Sequence, residues 1–221
     1  VSMTRSPIIP PTPQATDYEA EGAAPPIAET TEPIELFQAW LAEARISELN
    51  DSNAMALATV DEQGMPDVRM VLLKDIRDGA LTFFTHETSA KGLQLATVQK
   101  AAVCFHWKSM RRQIRVRGSV SRLPDAEADA YFHSRARLSQ LGAVASDQSQ
   151  PLASRDELVA RLQEAEAAYP EETQVDRPAH WGGYLITPAS IEFWQDQPYR
   201  LHDRVRFERA GGEWTTTRLY P

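Results

Sequence analysis

The sequence predicts an α+β protein built on a closed or nearly closed antiparallel barrel. Two observations predict it. Seven or so short segments have strand character and are separated by polar or glycine-bearing turns, and a few helical segments with recognisable starts are set between them. A third observation bounds the size: 221 residues accommodate a single β-rich domain around one core.

Residues 1 to about 30 hold six prolines (Pro7, Pro10, Pro11, Pro13, Pro25 and Pro26) among Thr, Ala and Glu with no apolar period. Such a stretch cannot bury enough surface to offset its ordering entropy, so it reads as a disordered, proline-rich arm. The folded domain is expected over residues 31–221. Ile34, Phe37, Leu41 and Ala44 recur at helical spacing beside Trp40, with Pro33 suited to a first turn, which predicts a helix to about residue 47. Ala54 to Val60, Val68 to Lys74 and Leu81 to Thr85 read as three antiparallel strands joined at Asp61–Gly64 and Asp78-Gly79. Ser89 is placed to cap a short helix through about Thr97. Ala101 to Trp107 and Gln113 to Arg122 are strands; in the second, Gln113, Arg115 and Arg117 take one face and Ile114 and Val116 the other. Pro124 starts a helical stretch to about His133. Ser154-Arg155-Asp156-Glu157 is a capping box opening a helix with Leu158, Leu162 and Ala165 on one stripe. Gly183 to Thr187 with Ile191 to Trp194, then Arg204 to Arg209, then Trp214 to Leu219 after Gly211-Gly212, complete the strands.

Hydrophobic residues at 42% and charged ones at 24% match an average globular chain and argue against wholesale disorder or a membrane protein. A formal net charge of −8 disfavours nucleic acid and anionic membranes as partners, since both need a broadly cationic surface. An anionic ligand must then be held by local clusters of Arg and Lys. The single cysteine, Cys104, cannot form an intrachain disulfide, and no Cys/His set has zinc spacing. No run reaches the length of a membrane span, and no basic-plus-apolar leader is visible, so a cytoplasmic protein is expected.

No dinucleotide, P-loop, zincin or nucleophile-elbow signature is present. Cys104 and His106 share a strand face but have no third ligand, which makes them packing residues. What stands out is cations mixed with hydroxyl and amide side chains where strands give way to loops: Arg69 to Lys74, Ser89 and Lys91, Arg135 with Ser139, Gln148-Ser149, and Arg200 to Arg204. Such groups suit phosphate, because Arg and Lys supply charge while Ser, Thr and backbone N–H groups supply oriented donors. Each cation taken singly is also an ordinary surface charge.

The order and spacing of Arg69-Met70-Val71-Leu72-Leu73-Lys74, Phe83-Phe84-Thr85, Tyr131-Phe132-His133-Ser134-Arg135, Ser139-Gln140-Leu141-Gly142, Gln148-Ser149, Ile191-Glu192-Phe193-Trp194 and Arg200-Leu201-His202-Asp203-Arg204 resembles the pyridoxine/pyridoxamine 5′-phosphate oxidase family over roughly residues 33 to 221. The resemblance implies an FMN-binding split barrel that forms a homodimer, with FMN in clefts between the subunits. It implies that Arg69, Thr85, Lys91, Gln148 and Ser149 hold the FMN phosphate and ribityl chain. Gln113, Phe84 and the strand Met70, Val71, Leu72, Leu73 and Lys74 would lie at the cofactor, and Trp194 and Arg204 would complete its pocket. Lys74, Tyr131, Arg135 and Ser139 would grip the substrate phosphate, and Arg200 and His202, the implied catalytic pair, would border the pyridine ring. The implied reaction passes a hydride from C4′ of pyridoxine or pyridoxamine 5′-phosphate to flavin N5, with O2 as final acceptor, giving pyridoxal 5′-phosphate and hydrogen peroxide.

Two departures stand against the family pattern. Relatives often carry a basic residue where this chain has Ala90, which removes one phosphate contact worth roughly 1.5–3 kcal/mol. The arm also lacks the Arg-Arg-x-Tyr segment that folds over substrate in some relatives, keeping only Tyr18. Two other readings stay open: a split-barrel oxidase of another reduced aromatic, as in phenazine biosynthesis, and a non-catalytic carrier of FMN or pyridoxal phosphate. The group Lys74, Tyr131, Arg135 and Ser139 favours the phosphorylated vitamer over the first.

Overall fold

The longest strand organises the molecule. In the computed structural model, which describes residues 13–17 and 22–221, nine strands lie in one antiparallel sheet: β1 (Ala54–Val60), β2 (Pro66–Leu72), β3 (Asp75–Arg77), β4 (Ala80–His86), β5 (Lys100–Trp107), β6 (Arg112–Arg122), β7 (Trp181–Gln195), β8 (Asp203–Ala210) and β9 (Glu213–Arg218). The hydrogen-bonded order is β2-β1-β5-β6-β7-β4-β3, with β8 also on β7 and β9 on β8. One edge of β7 pairs with β6 along its length; the other pairs with β4 over Trp181 to Ile186 and with β8 over Ser190 to Gln195. The switch of partner coincides with a β-bulge, where Arg117 opposes Ser190 but Gly118 opposes Pro188, leaving Ala189 as the extra residue. Gly118 is required there: a Cβ would sit 2.0 Å from the Thr187 carbonyl oxygen.

The helices are α1 (Pro33–Ser47), α2 (Ala90–Thr97), α3 (Asp125–Ser134), α4 (Arg137–Ala145) and α5 (Arg155–Ala168). Pro33 opens α1, where its missing N–H costs nothing. Phe37, Trp40 and Ala44 are the buried stripe of this helix, so Trp40 belongs to the core face and Ile34 and Leu41 flank it. Phe37 meets Phe105 edge-on at 5.1 Å and Trp40 meets Phe193 at 5.2 Å, clamping α1 to the main core with Met55, Leu57, Ile114, Ile191 and Phe207. Each such fully buried side chain contributes about 1.5–3 kcal/mol. A second core of Phe132, Leu141, Ala143, Ala145, Ala165, Val175 and Trp181 lies among α3, α4 and α5.

Ser89 caps α2 by accepting from the Gly92 N–H, and Ser154 caps α5 by accepting from Glu157 N–H, as the sequence indicates. On β6, Ile114 and Val116 are fully buried and Gln113, Arg115 and Arg117 face outward. Three features differ from the sequence expectation. The segments Val68–Lys74 and Leu81–Thr85 are not hairpin partners: β2 pairs with β1, and the Asp78-Gly79 turn joins β4 to the short β3 instead. Strand β3 and helix α4 were not expected; β3 has only three residues, and α4 has no side-chain cap at Ala136, so neither carries a start signal. The third concerns the arm. Its early prolines Pro7, Pro10 and Pro11, together with Tyr18, lie outside the described residues, but packing begins before residue 31: Ile27 is 3% exposed within the main core. Its N–H donates to Asp203 Oδ2 at 2.7 Å, and Ala24 O accepts from Gln197 Nε2 at 2.8 Å. One apolar residue among prolines has no period to reveal it.

Candidate active site

The sequence-predicted residues fall into three groups within the chain. The first surrounds Lys91, in the first turn of α2. Its Nζ donates to Gln148 Oε1 at 2.8 Å, Thr85 Oγ1 at 3.3 Å and Ser89 Oγ at 3.4 Å, all uncharged acceptors, although the residue is only 7% exposed. Burial, with the charge of Arg69 nearby, pushes the Lys91 ammonium below its usual pKa, against a smaller opposing pull from Asp67. Arg69 reaches from β2 to Thr59, Gln94 and Asp67. Ser149 follows Gln148 in the left-handed region at φ 72° and is exposed. A buried ammonium beside a guanidinium, ringed by hydroxyls and an amide, is the donor set that a phosphate monoester requires; the residues fit the FMN phosphate. Thr59 and Gln94 carried no sequence signal, being one hydroxyl in a strand and one amide on a helix.

The second group stands on an aromatic stack. Phe84 of β4 stacks on Tyr131 (3.9 Å, 14°) and lies parallel to Trp181 beside it (5.3 Å, 10°), with Tyr131 and Trp181 6.2 Å apart. Lys74, Tyr131 and Phe84 line a cleft of about 280 Å³ with Thr82 and Leu123, whose rim also carries Arg77 paired with Asp75 and Glu127. Arg135, the residue closing α3, lays its guanidinium 5.0 Å from the Trp181 ring and 5.7 Å from Phe132. Its Nη1 is buried without a hydrogen-bond partner among the described residues. Burial lowers the Arg135 pKa from its usual value while Tyr131 opposes, and the group stays cationic. Ser139 is exposed in the first turn of α4, whose Gln140 Nε2 donates to Arg135 O at 2.7 Å. Between these two groups sits His86, 4% exposed, with an Nδ1 that has no partner among the described residues. Its pKa is pushed down to about 4 by burial, then by the charges of His180, Lys91 and Arg135.

The third group occupies β6, β7 and β8. Gln113 pairs with Trp194 and Trp194 with Arg204, which sets the three in a row on one sheet face. His202 packs on Trp194 at 4.7 Å, and its Nδ1 lies 2.8 Å from Asp196 Oδ1. Arg200 is exposed at φ 62° after Tyr199 at φ 57°, a strained turn for non-glycine residues. Arg204 donates twice to Glu192 Oε1, at 3.0 and 2.8 Å. Burial pushes the Glu192 carboxyl up, but Arg204 and Arg115 outweigh it and hold the group below its usual range. On β2, Met70 and Leu72 are exposed, Val71 is half-buried and Leu73, just beyond, is buried. That strand lies three strand steps from β6, so the chain does not by itself bring the third group to the Met70–Leu73 segment.

The curled antiparallel sheet with helices at its ends defines the class, a split barrel of the FMN-binding type. Residues 41–169 match the family model described as pyridoxamine 5′-phosphate oxidase, and residues 181–221 match the pyridoxine 5′-phosphate oxidase C-terminal dimerisation region. The chain belongs to the pyridoxamine 5′-phosphate oxidase family and is an enzyme of it. It is 57% identical over 220 residues to the pyridoxine/pyridoxamine 5′-phosphate oxidase of Hyphomonas neptunium, covering 99% of this chain and 100% of that one. It is 53% identical over 226 residues to that of Maricaulis maris, again covering 99% and 100%. Among solved structures, PhzG from Burkholderia lata 383, in complex with tetrahydrophenazine-1-carboxylic acid, superposes with a TM-score of 0.82 at 34% identity, covering 87% of this chain and 94% of that one. A pyridoxamine 5′-phosphate oxidase-related FMN-binding protein from Nostoc punctiforme PCC 73102 shares the fold with a TM-score of 0.71 at 17% identity, covering 88% and 100%. Among the described residues no helix is long and apolar enough to cross a membrane.

Proposed function

We propose that this chain binds FMN and oxidises C4′ of pyridoxine 5′-phosphate and pyridoxamine 5′-phosphate to give pyridoxal 5′-phosphate. The observation that carries the reading is two separate cationic settings on a chain of net charge −8: Lys91 with Arg69 nearby, and Arg135 on the ring platform whose Phe84 and Tyr131 line a cleft with Lys74. Among the described residues neither Lys91 nor Arg135 has a carboxylate in direct contact; Lys91 is buried and Arg135 is half-buried with an unpartnered, buried Nη1, so an arriving phosphate would satisfy both. Two grips fit a reaction that brings together two phosphorylated aromatic molecules.

FMN, when bound, supplies the two-electron acceptor, which O2 reoxidises with release of hydrogen peroxide. Arg69, Thr85, Lys91, Gln148 and Ser149 would hold its phosphate and ribityl chain, and the Met70–Leu73 segment would flank its ring system, with Gln113 supplied, like the rest of the third group, by a second copy. Lys74, Tyr131, Arg135 and Ser139 hold the substrate phosphate and thereby fix the register of the pyridine ring. Arg200 and His202 border that ring. Asp196 engages His202 at Nδ1, which leaves Nε2 as the nitrogen that turns to substrate. Trp194, Arg200, His202 and Arg204 all lie in the segment matching a dimerisation region; we assign them to the pocket of a second copy in a homodimer, which resolves their separation from β2.

The test is turnover in air. Pyridoxine 5′-phosphate should yield pyridoxal 5′-phosphate and peroxide in equal amounts, with unphosphorylated pyridoxine far poorer; a protein that takes up no FMN, or releases no peroxide with either vitamer, overturns the reading. The ligand of PhzG favours one competing substrate class, a reduced aromatic without phosphate. That class predicts that truncating Arg135 leaves KM unaltered.

A further inference from the structure

Two guanidinium groups approach Trp181, and they are held in opposite ways. Arg177 is satisfied by charge: it pairs with Asp125 and Asp129 and donates to the Trp181 carbonyl. Arg135 makes no ion pair among the described residues and lies instead over the rings of Trp181 and Phe132. A carboxylate partner would cancel the charge a phosphate needs, whereas an aromatic face attracts a cation through its quadrupole and leaves the charge intact. Trp181 is itself fixed. It is 4% exposed, lies parallel to Phe84 and Tyr131 at 10° and 8°, and meets Phe132 at 71°. Tyr131 and Arg135, four residues apart on and at the end of α3, thus share one rigid ring platform.

We infer that Trp181 is a positioning residue for substrate: its indole face holds Arg135 uncompensated and aimed, so that the guanidinium meets the substrate phosphate without rearrangement. The inference rests on the proposed role of Arg135 and extends it to a side chain that acts through Arg135. A preorganised cation binds more tightly than one that must first leave a carboxylate or be ordered on arrival.

The test is a double-mutant cycle in the FMN-loaded enzyme. Trp181→Leu should raise KM for pyridoxine 5′-phosphate by about two- to thirty-fold, the range to which a cation–π contact converts, with kcat and flavin content unchanged. Trp181→Phe should restore most of the loss. In the Arg135→Ala background, Trp181→Leu should add nothing, because the partner through which it acts is gone. Fluorinated tryptophans placed at position 181 alone keep the shape while emptying the ring face of negative charge; KM should climb with each fluorine, and this series decides the matter should the leucine variant not fold. Equal effects of Trp181→Leu with and without Arg135, or a flat fluorine series, would overturn the inference and leave the role of Arg135 standing. If Arg135→Ala itself leaves KM unchanged, the reading beneath it falls too.

Discussion

At Lys91 the chain keeps an ammonium where burial disfavours it, and three neutral acceptors do not offset that cost as an anion would. Lys91→Ala is therefore expected to yield protein that loses FMN on dialysis, with the loss visible as bleaching and as a Kd raised at least tenfold, the effect of about 1.5–3 kcal/mol from a charge-assisted hydrogen bond. With Ala90 in place of a second base, Arg69 is the remaining strong cation of that cluster, and its truncation should add to the effect. Arg200 has the opposite expectation. It stands in the third group, exposed and away from the Lys91 cluster, so Arg200→Ala should lower kcat/KM while the purified protein stays yellow; loss of flavin would move Arg200 to the cofactor site. Most of these side chains were legible one by one, because a short motif fixes a residue type and a spacing. Trp181, His86, Thr59 and Gln94 were not, since their importance comes from neighbours at distant sequence positions.

At the scale of elements, the platform of Phe84 and Trp181 depends on an absent side chain. A Cβ on Gly183 would lie 2.7 Å from the Phe84 ring and 2.4 Å from a Leu123 methyl, both in packed surroundings. Gly183→Ala is expected to cost about 1–3 kcal/mol, as overpacking does, read as a lower urea midpoint, and to raise KM for the phosphorylated substrate as the stack shifts. Caps and alternation made α2, α5 and β6 readable in the sequence, since each rests on local chemistry: Ser89 and Ser154 accept from the first-turn amides, and Ile114 and Val116 alternate with polar neighbours. The two halves of β7 were grouped in the sequence, but how the strand passes Pro188 was not legible there. Only the pairing with Gly118 and the bulge at Ala189 let the strand continue past it.

For the whole molecule, pH acts through His86. His180, Lys91 and Arg135 face it, Asp147 opposes them, and its pKa of about 4 lies below the 6.5 expected of an unfolded chain. The unfolded chain therefore takes up a proton below pH 6.5 that the fold refuses until about pH 4, so stability falls as pH drops through that window and is insensitive to His86 above it. The shift corresponds to about 3 kcal/mol at most. Urea midpoints measured from pH 7.5 to 4.5 should decline in the native protein and decline less in His86→Asn; parallel curves would dismiss the assignment. The barrel class was legible from the count and spacing of strands, but the distribution of the site was not. Proximity of β4, α2 and the Gln148 loop, and the remoteness of Trp194 from β2, are properties of strand order, which local pattern does not encode.

Ala189 has a bearing on shape that its small size conceals. On β6 the inward residues stay even-numbered throughout, while on β7 they change from even (Tyr184, Ile186) to odd (Ile191, Phe193) across the bulge. Excising Ala189 would thus restore perfect alternation and turn no core side chain outward. What it would remove is the angle: the Trp181 end and the Trp194 end would fall along one line, and a chain that still folds would have lost the corner between them.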